Sequence, residues 1–111
     1  KYGDNRLPDE LRESIWQELD AYMRTNEPWR AASLTLIQLA NDTGISSHHI
    51  SQVLNDHLGL SFNDYLNQFR VNRVCAELTN KDRTLLDIAM DCGFSSKSSF
   101  NAIFKKHTGK T

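Results

Sequence analysis

The chain has 111 residues, of which 39% are hydrophobic, and a formal net charge of −1. That length fits one domain or two very small subdomains. No stretch approaches the ~20 apolar residues that a membrane-crossing helix needs, and no secretory signal peptide is visible. Cys75 and Cys92 have neither disulfide-framework nor metal-site spacing, which fits a reducing cytosol. With only two prolines, five glycines and few alternating apolar runs, the chain reads as all-α. It starts at Lys1 rather than Met and stops at Thr111, so a piece of a longer protein is expected. A sensor or membrane segment would then lie outside it.

Residues 1–6 are polar and expected to be loose. Pro8 suits the first turn of a helix, and Leu11, Ile15, Leu19, Tyr22 and Met23 follow at helical spacing. That amphipathic helix should end near Asn26, before Pro28. Trp29 and Leu34 then bridge to the next segment. Thr35 can cap a short helix over 36–43, and a second helix should run over 47–57 and end at Gly59. Residues 62–78 read as the longest helix, with Phe62, Leu66, Phe69, Val71, Val74 and Leu78 as its apolar positions. At 1.5 Å per residue it spans roughly 25 Å. Asn80 to Arg83 form a polar turn. Thr84 can cap a helix over 85–92, and a last helix should cover 96–107, ending near Gly109.

Two of these segments are copies of each other. Leu36-Ile37-Gln38-Leu39-Ala40-Asn41-Asp42-Thr43-Gly44-Ile45-Ser46-Ser47 recurs as Leu85-Leu86-Asp87-Ile88-Ala89-Met90-Asp91-Cys92-Gly93-Phe94-Ser95-Ser96. After one inserted residue the match resumes: Ile50, Val53, Leu54, His57 and Gly59 face Phe100, Ile103, Phe104, His107 and Gly109. The alanines are small where helices approach. Gly44 and Gly93 fall where a helix should stop in a left-handed conformation that only glycine adopts cheaply. Ser46 or Ser47, and Ser95 or Ser96, can cap the next helix. Each copy is thus a helix-turn-helix, a motif whose second helix enters the DNA major groove. The expected architecture is all-α, with two helix-turn-helix subdomains (33–61 and 80–111) joined by a long linker helix (62–79). An N-terminal amphipathic helix and connector (1–32) precedes them.

Charge is unevenly spread. Residues 33–61 hold no Lys or Arg, whereas 80–111 hold six basic and three acidic side chains. Phosphate contacts dominate affinity, so the second copy should supply more of the non-specific grip. On the first recognition helix His48, Ser51, Gln52 and Asn55 lie opposite the apolar stripe, and amides suit adenine N6 and N7. On the second, Lys97, Ser98, Asn101 and Ala102 face outward. Ser47, Ser96, Lys105 and Lys106 sit near helix ends and suit phosphates. His48, His49 and His57 do not make a zinc site, because adjacent helical residues diverge and no Cys or acid completes the set. No metal or cofactor is expected. Cys92 reads as a packed thiol. No nucleophile elbow, zinc-protease motif or phosphate loop points to catalysis.

The motifs Leu36-x-x-Leu39-Ala40-x-x-x-Gly44-Ile45-Ser46, Leu58-Gly59-Leu60-Ser61-Phe62, Tyr65-Leu66 and Arg70-Val71 are followed by a second set. It comprises Ile88-Ala89-x-x-x-Gly93-Phe94-Ser95-x-x-x-x-Phe100 and Phe104-Lys105-Lys106-x-x-Gly109. Together they resemble the DNA-binding domain of the AraC/XylS family of bacterial transcription regulators, over about residues 33–111. The resemblance implies seven helices and sequence-specific binding to double-stranded promoter DNA. It also implies an absent effector-sensing domain, often membrane-spanning in the subgroup matched by 48–55 and 96–101. The family's base-contacting positions on the first recognition helix fall on His48, Ser51 and Gln52. Arg70 matches a position expected to bridge the subdomains by hydrogen bonds. The family often has a long polar or basic residue where this chain has Ala102.

The acidic helix 8–26 is a candidate contact for RNA polymerase, a sensor domain or a second protomer. A helical interaction module is the alternative reading, and the isolated chain is expected to be monomeric. A cytoplasmic protein is expected, with anchoring through a missing segment as the variant. Because 33–61 lacks Lys and Arg, protonated histidines would add its only mobile positive charge. DNA should then bind more tightly at pH 6 than at pH 8, and equal affinity in a fluorescence titration would remove the idea.

Overall fold

The computed structural model describes residues 8–79 and 82–109. Its elements are α1 (Asp9–Asn26), a 3-10 turn (Pro28–Arg30), α2 (Leu36–Thr43), α3 (Ser47–Leu58), α4 (Phe62–Glu77), α5 (Leu85–Asp91) and α6 (Lys97–Thr108). The chain is all-α, with six α-helices and one 3-10 turn among the described residues where the resemblance implied seven helices. None of these helices is long and apolar enough to cross a membrane. The loose start expected over 1–6 and the centre of the polar turn at Asn80 and Lys81 lie outside the described residues. The chain forms two compact units, one of residues 1–27 and 35–62, the other of residues 28–34 and 63–111. The connector 28–34 therefore clusters with the second unit, although both helices it joins belong to the first.

In the first unit, α1 and α2 each pack on α3. Leu19, Met23, Leu39, Ile50, Val53 and Leu54 are wholly buried, and burying a side chain of this kind contributes roughly 1.5–3 kcal/mol. The stripe on α1 is a turn shorter than expected, because Leu11 remains 47% exposed. Arg12 Nη1 donates to Asp56 Oδ2 of α3 at 3.4 Å, and Trp16 stacks on His57 with ring centroids 5.1 Å apart. Thr35 caps α2 in a reciprocal box: Gln38 N donates to Thr35 Oγ1 at 3.1 Å and Thr35 N donates to Gln38 Oε1 at 3.0 Å. Gly44 ends α2 at φ 75° and its N–H donates to Ala40 O. Ser46 then caps α3, its hydroxyl accepting from His49 N at 3.1 Å.

The second unit repeats this logic with a change in the turn. Thr84 caps α5 by accepting from Asp87 N at 3.1 Å, and Ser96 caps α6 by accepting from Ser99 N at 3.1 Å. The cap lies two residues after Gly44 in the first copy and three after Gly93 in the second, so the inserted residue is spent within the turn. Cys92, rather than Gly93, is the C-cap of α5. Gly93 follows at φ 103°, and it has a second reason to be glycine. A Cβ there would lie 2.2 Å from Trp29 O and 2.7 Å from Arg70 Nε.

Arg70 is the buried charge of this unit, 8% exposed. Its Nε donates to Trp29 O at 2.7 Å, Nη2 to Ala31 O at 3.0 Å and Nη1 to Asn67 Oδ1 at 3.1 Å. Burial lowers its pKa from the ordinary arginine value. The bridge expected between the subdomains is not what these bonds make: all three partners belong to Arg70's own unit, two of them on the connector. Trp29, 3% exposed, stacks on Phe69 at 6.2 Å. Arg30 and Arg73 lie over its ring at 5.0 and 5.6 Å. Phe94, Phe100 and Phe104 form an aromatic run with successive centroids 5.1 Å apart. Phe100 is buried, while Ile103 and Phe104, expected in the core, are half-buried. Leu78, expected on the apolar face of α4, is 49% exposed.

Gly44→Ala should cost about 1–2 kcal/mol, the left-handed penalty alone, because nothing lies within 4 Å of a Cβ there. Gly93→Ala should cost more than about 3 kcal/mol, since strain and collision add; urea midpoints of the two variants test the difference. The buried Cys92 thiol is pushed up to about 11, first by desolvation, then by Glu77, with Arg30 opposing. Its folded pKa lies above the unfolded value of 9.0, so its contribution is intact below pH 9 and is lost as pH rises toward 11. Urea midpoints of wild type and Cys92→Ala, compared from pH 8 to pH 11, should therefore converge as pH rises.

Candidate nucleic-acid interface

The two recognition helices present their polar residues in register, fifty positions apart after the insertion. The offset pairs Ser47 with Lys97, His48 with Ser98, Ser51 with Asn101, Gln52 with Ala102, Asn55 with Lys105 and Asp56 with Lys106. On α3, His48, Ser51 and Asn55 are exposed, while Gln52 is half-buried. The Gln52 Oε1 atom is buried and has no hydrogen-bond partner among the described residues. On α6, Lys97, Ser98, Asn101, Ala102 and Lys105 are all exposed. Both faces are held by what lies behind them: Ile50, Val53 and Leu54 behind α3, and Phe100 behind α6.

The phosphate candidates separate. Ser96 spends its hydroxyl as an acceptor in capping α6, whereas Ser46 caps α3 and leaves Ser47 in the first turn. Ser46 and Ser47, with Ile37, Ala40, Asn41, Gly44 and Ile45, line an open concavity of about 480 Å³ at the first turn. Lys106 Nζ is held by Asp64 Oδ1 of α4 at 3.1 Å, while Lys105 and Lys97 have no acidic partner among the described residues. The histidines separate as well. His57 is committed to α1, with Nε2 at 3.6 Å from Glu13 Oε1 and its ring on Trp16. His49 is half-buried, so only His48 stands fully on the outward face.

Elsewhere in the second unit, ion pairs occupy the acids. Glu77 takes Arg83 at 3.3 Å, Arg73 at 3.7 Å and Arg30 at 3.9 Å. Asp91 takes Arg30 at 3.2 Å and Arg83 at 3.5 Å. Sequence reasoning did not find these pairings or the Asp64 contact. The repeat sets Lys106 against Asp56, itself paired with Arg12, but does not point to Asp64.

Comparison with known proteins bears on what such a surface does. The family profile described as a helix-turn-helix domain matches residues 39–111. Over 105 residues the chain is 30% identical to a probable transcription factor, PqrA, of Proteus vulgaris; the match covers 95% of this chain and 82% of that protein. Most of α1 must fall within that stretch, so the first helix belongs to the shared domain. An uncharacterized HTH-type transcriptional regulator of Staphylococcus aureus strain COL is 38% identical over 78 residues, covering 70% of this chain. The chain spans only about a tenth of that protein, the match being 10% of its length. A solved structure from Listeria innocua, of a protein of unknown function, superposes with a TM-score of 0.73 at 34% identity, covering 87% of this chain and 90% of that one. The chain belongs to the AraC-type helix-turn-helix family of DNA-binding transcription regulators, which are not enzymes.

Proposed function

We propose that this chain reads a two-part duplex site in sequence-specific fashion, with α3 and α6 entering successive major-groove segments. The observation that carries the reading is the doubled, in-register polar face: His48, Ser51 and Asn55 on one helix, and Ser98, Asn101 and Lys105 at the same offsets on the other. Base edges are assigned to His48, Ser51, Gln52, Asn55, Lys97, Ser98 and Asn101. Phosphates are assigned to Ser47, Ser96, Lys105 and Lys106. A buried, unpaired amide oxygen costs about 1–3 kcal/mol, so turning Gln52 outward onto an adenine relieves a cost present in the free protein. Ala102 offers only a methyl, which limits the second helix to thymine-methyl contact there. With both reading helices in one polypeptide, one chain per site suffices. The match to the Staphylococcus aureus relative covers only 10% of that protein, which supports placing this domain in a longer regulator with a sensor or membrane region.

Selection from a random duplex library should enrich two half-sites about 10 base pairs apart. Gln52→Ala should cost about 1–3 kcal/mol at one base pair and relax preference there. Lys105→Ala should weaken all duplexes alike and lower the salt slope by about 0.9. If the two variants acted identically on every sequence, the division into base and phosphate contacts would be wrong.

A further inference from the structure

The same position of each recognition helix is tied to the helix that supports it, and the two ties have opposite polarity. In the first unit the acid lies on the recognition helix: Asp56 Oδ2 accepts from Arg12 Nη1 of α1 at 3.4 Å. In the second unit the base lies there: Lys106 Nζ donates to Asp64 Oδ1 of α4 at 3.1 Å. Lys106 therefore carries the only one of these two ties in which the cation rides on the recognition helix. From the Asp64–Lys106 contact we infer that Asp64 is a built-in competitor for the DNA backbone, its carboxylate occupying Lys106 in the free protein and yielding it to a phosphate on binding. The inference rests on the proposed reading of Lys106 as a phosphate contact.

The physical terms favour an exchangeable pair over a fixed brace. The Lys106 side chain is 65% exposed and that of Asp64 is 32% exposed, and ion pairs this wet hold only weakly. Their N and O atoms stay within reach of solvent, so a phosphate oxygen can replace the carboxylate without burying a charge. A lysine already neutralised by a carboxylate also contributes less to counterion release than a free one. When it moves to DNA, it must give up its contact with the Asp64 carboxylate. Asp64 thus lowers the gain from Lys106 and flattens the salt dependence. Lys105, with no acidic partner among the described residues, is not subject to this control.

The test is a salt series on the whole chain with a mixed-sequence DNA duplex, for wild type, Asp64→Asn, Lys106→Ala and the double variant. Thermal melts confirm that each is folded, and Asp64→Glu serves as the charge-keeping control. Asp64→Asn should bind more tightly and steepen the salt slope by up to about 0.9, one full phosphate contact. Across a fourfold change in salt, that slope corresponds to a gain of about threefold in affinity at the lower concentration. Asp64→Glu should behave as wild type, and Asp64→Asn should have no effect in the Lys106→Ala background. If Lys106→Ala weakens binding but Asp64→Asn does not change it, the competition is refuted while the phosphate reading stands. If neither variant changes binding, the phosphate reading of Lys106 fails and the competition with it. An Asp64→Asn gain that persists without Lys106 would show a general charge effect and overturn the pairing.

Discussion

The second unit depends on how a buried guanidinium is satisfied. Arg70 needs acceptors for its N–H groups, because an ionised group out of water without partners is very costly. Two of the three come from backbone carbonyls of the connector, at Trp29 and Ala31. A Cβ at residue 93 would collide with both partners of the Trp29 bond, lying 2.2 Å from Trp29 O and 2.7 Å from Arg70 Nε. Gly93 in turn sets the direction in which the chain leaves α5 for the cap at Ser96. One hydrogen bond of 2.7 Å thereby couples three sequence-distant segments: the connector, α4 and the α5–α6 turn. The conformation that presents Lys97, Ser98 and Asn101 is downstream of that bond.

The first unit reaches the same end differently. Its turn needs no buried charge: Gly44 has open space around it, and Thr43 stitches the turn by donating to Leu39 O at 2.8 Å and accepting from Ile45 N at 3.3 Å. At the matching position of the second copy stands Cys92, fully buried. A hydroxyl that bridges backbone groups has been replaced by a thiol that packs. Both turns are closed by local hydrogen bonds, the first through the Thr43 hydroxyl and the second through backbone bonds alone, Gly93 N to Met90 O at 3.3 Å and Phe94 N to Ala89 O at 3.1 Å, with the connector packed against Gly93.

Much of this was legible in the residues. Thr35, Thr84 and the two glycines announce their roles through local chemistry, and the repeat exposes the apolar positions behind each reading face. What was not legible depends on distant partners. Neither Gly93's collision partners nor two of Arg70's three acceptors lie within reach along the chain, so no local pattern encodes them. The spacing alone left Ser46 and Ser47 equally able to cap, and only the backbone path decided for Ser46. Leu11 and Leu78 fit their helical stripes yet stay exposed, because a stripe shows which face turns inward but not how far the core extends. α1 reads as an addition to the domain when judged by motif, yet it packs on α3 and completes the core of the first unit.

A chain of net charge −1 that binds DNA must keep its acids from opposing the backbone. Here several acids are tied to cations: Asp56 to Arg12, Asp64 to Lys106, Asp91 to Arg30 and Arg83, and Glu77 to Arg30, Arg73 and Arg83. Each such pair contributes little to stability, but each removes an anion from the field that a phosphate meets. The outward face of α3 then offers His48, Ser51 and Asn55, and that of α6 carries Lys97 and Lys105. On the proposed reading, the recognition helix that adds long-range attraction is that of the second unit, while that of the first discriminates at contact distance, through hydrogen bonds. Discrimination that adds little non-specific affinity raises the ratio of specific to non-specific binding, the quantity that matters against a genome of competing sites.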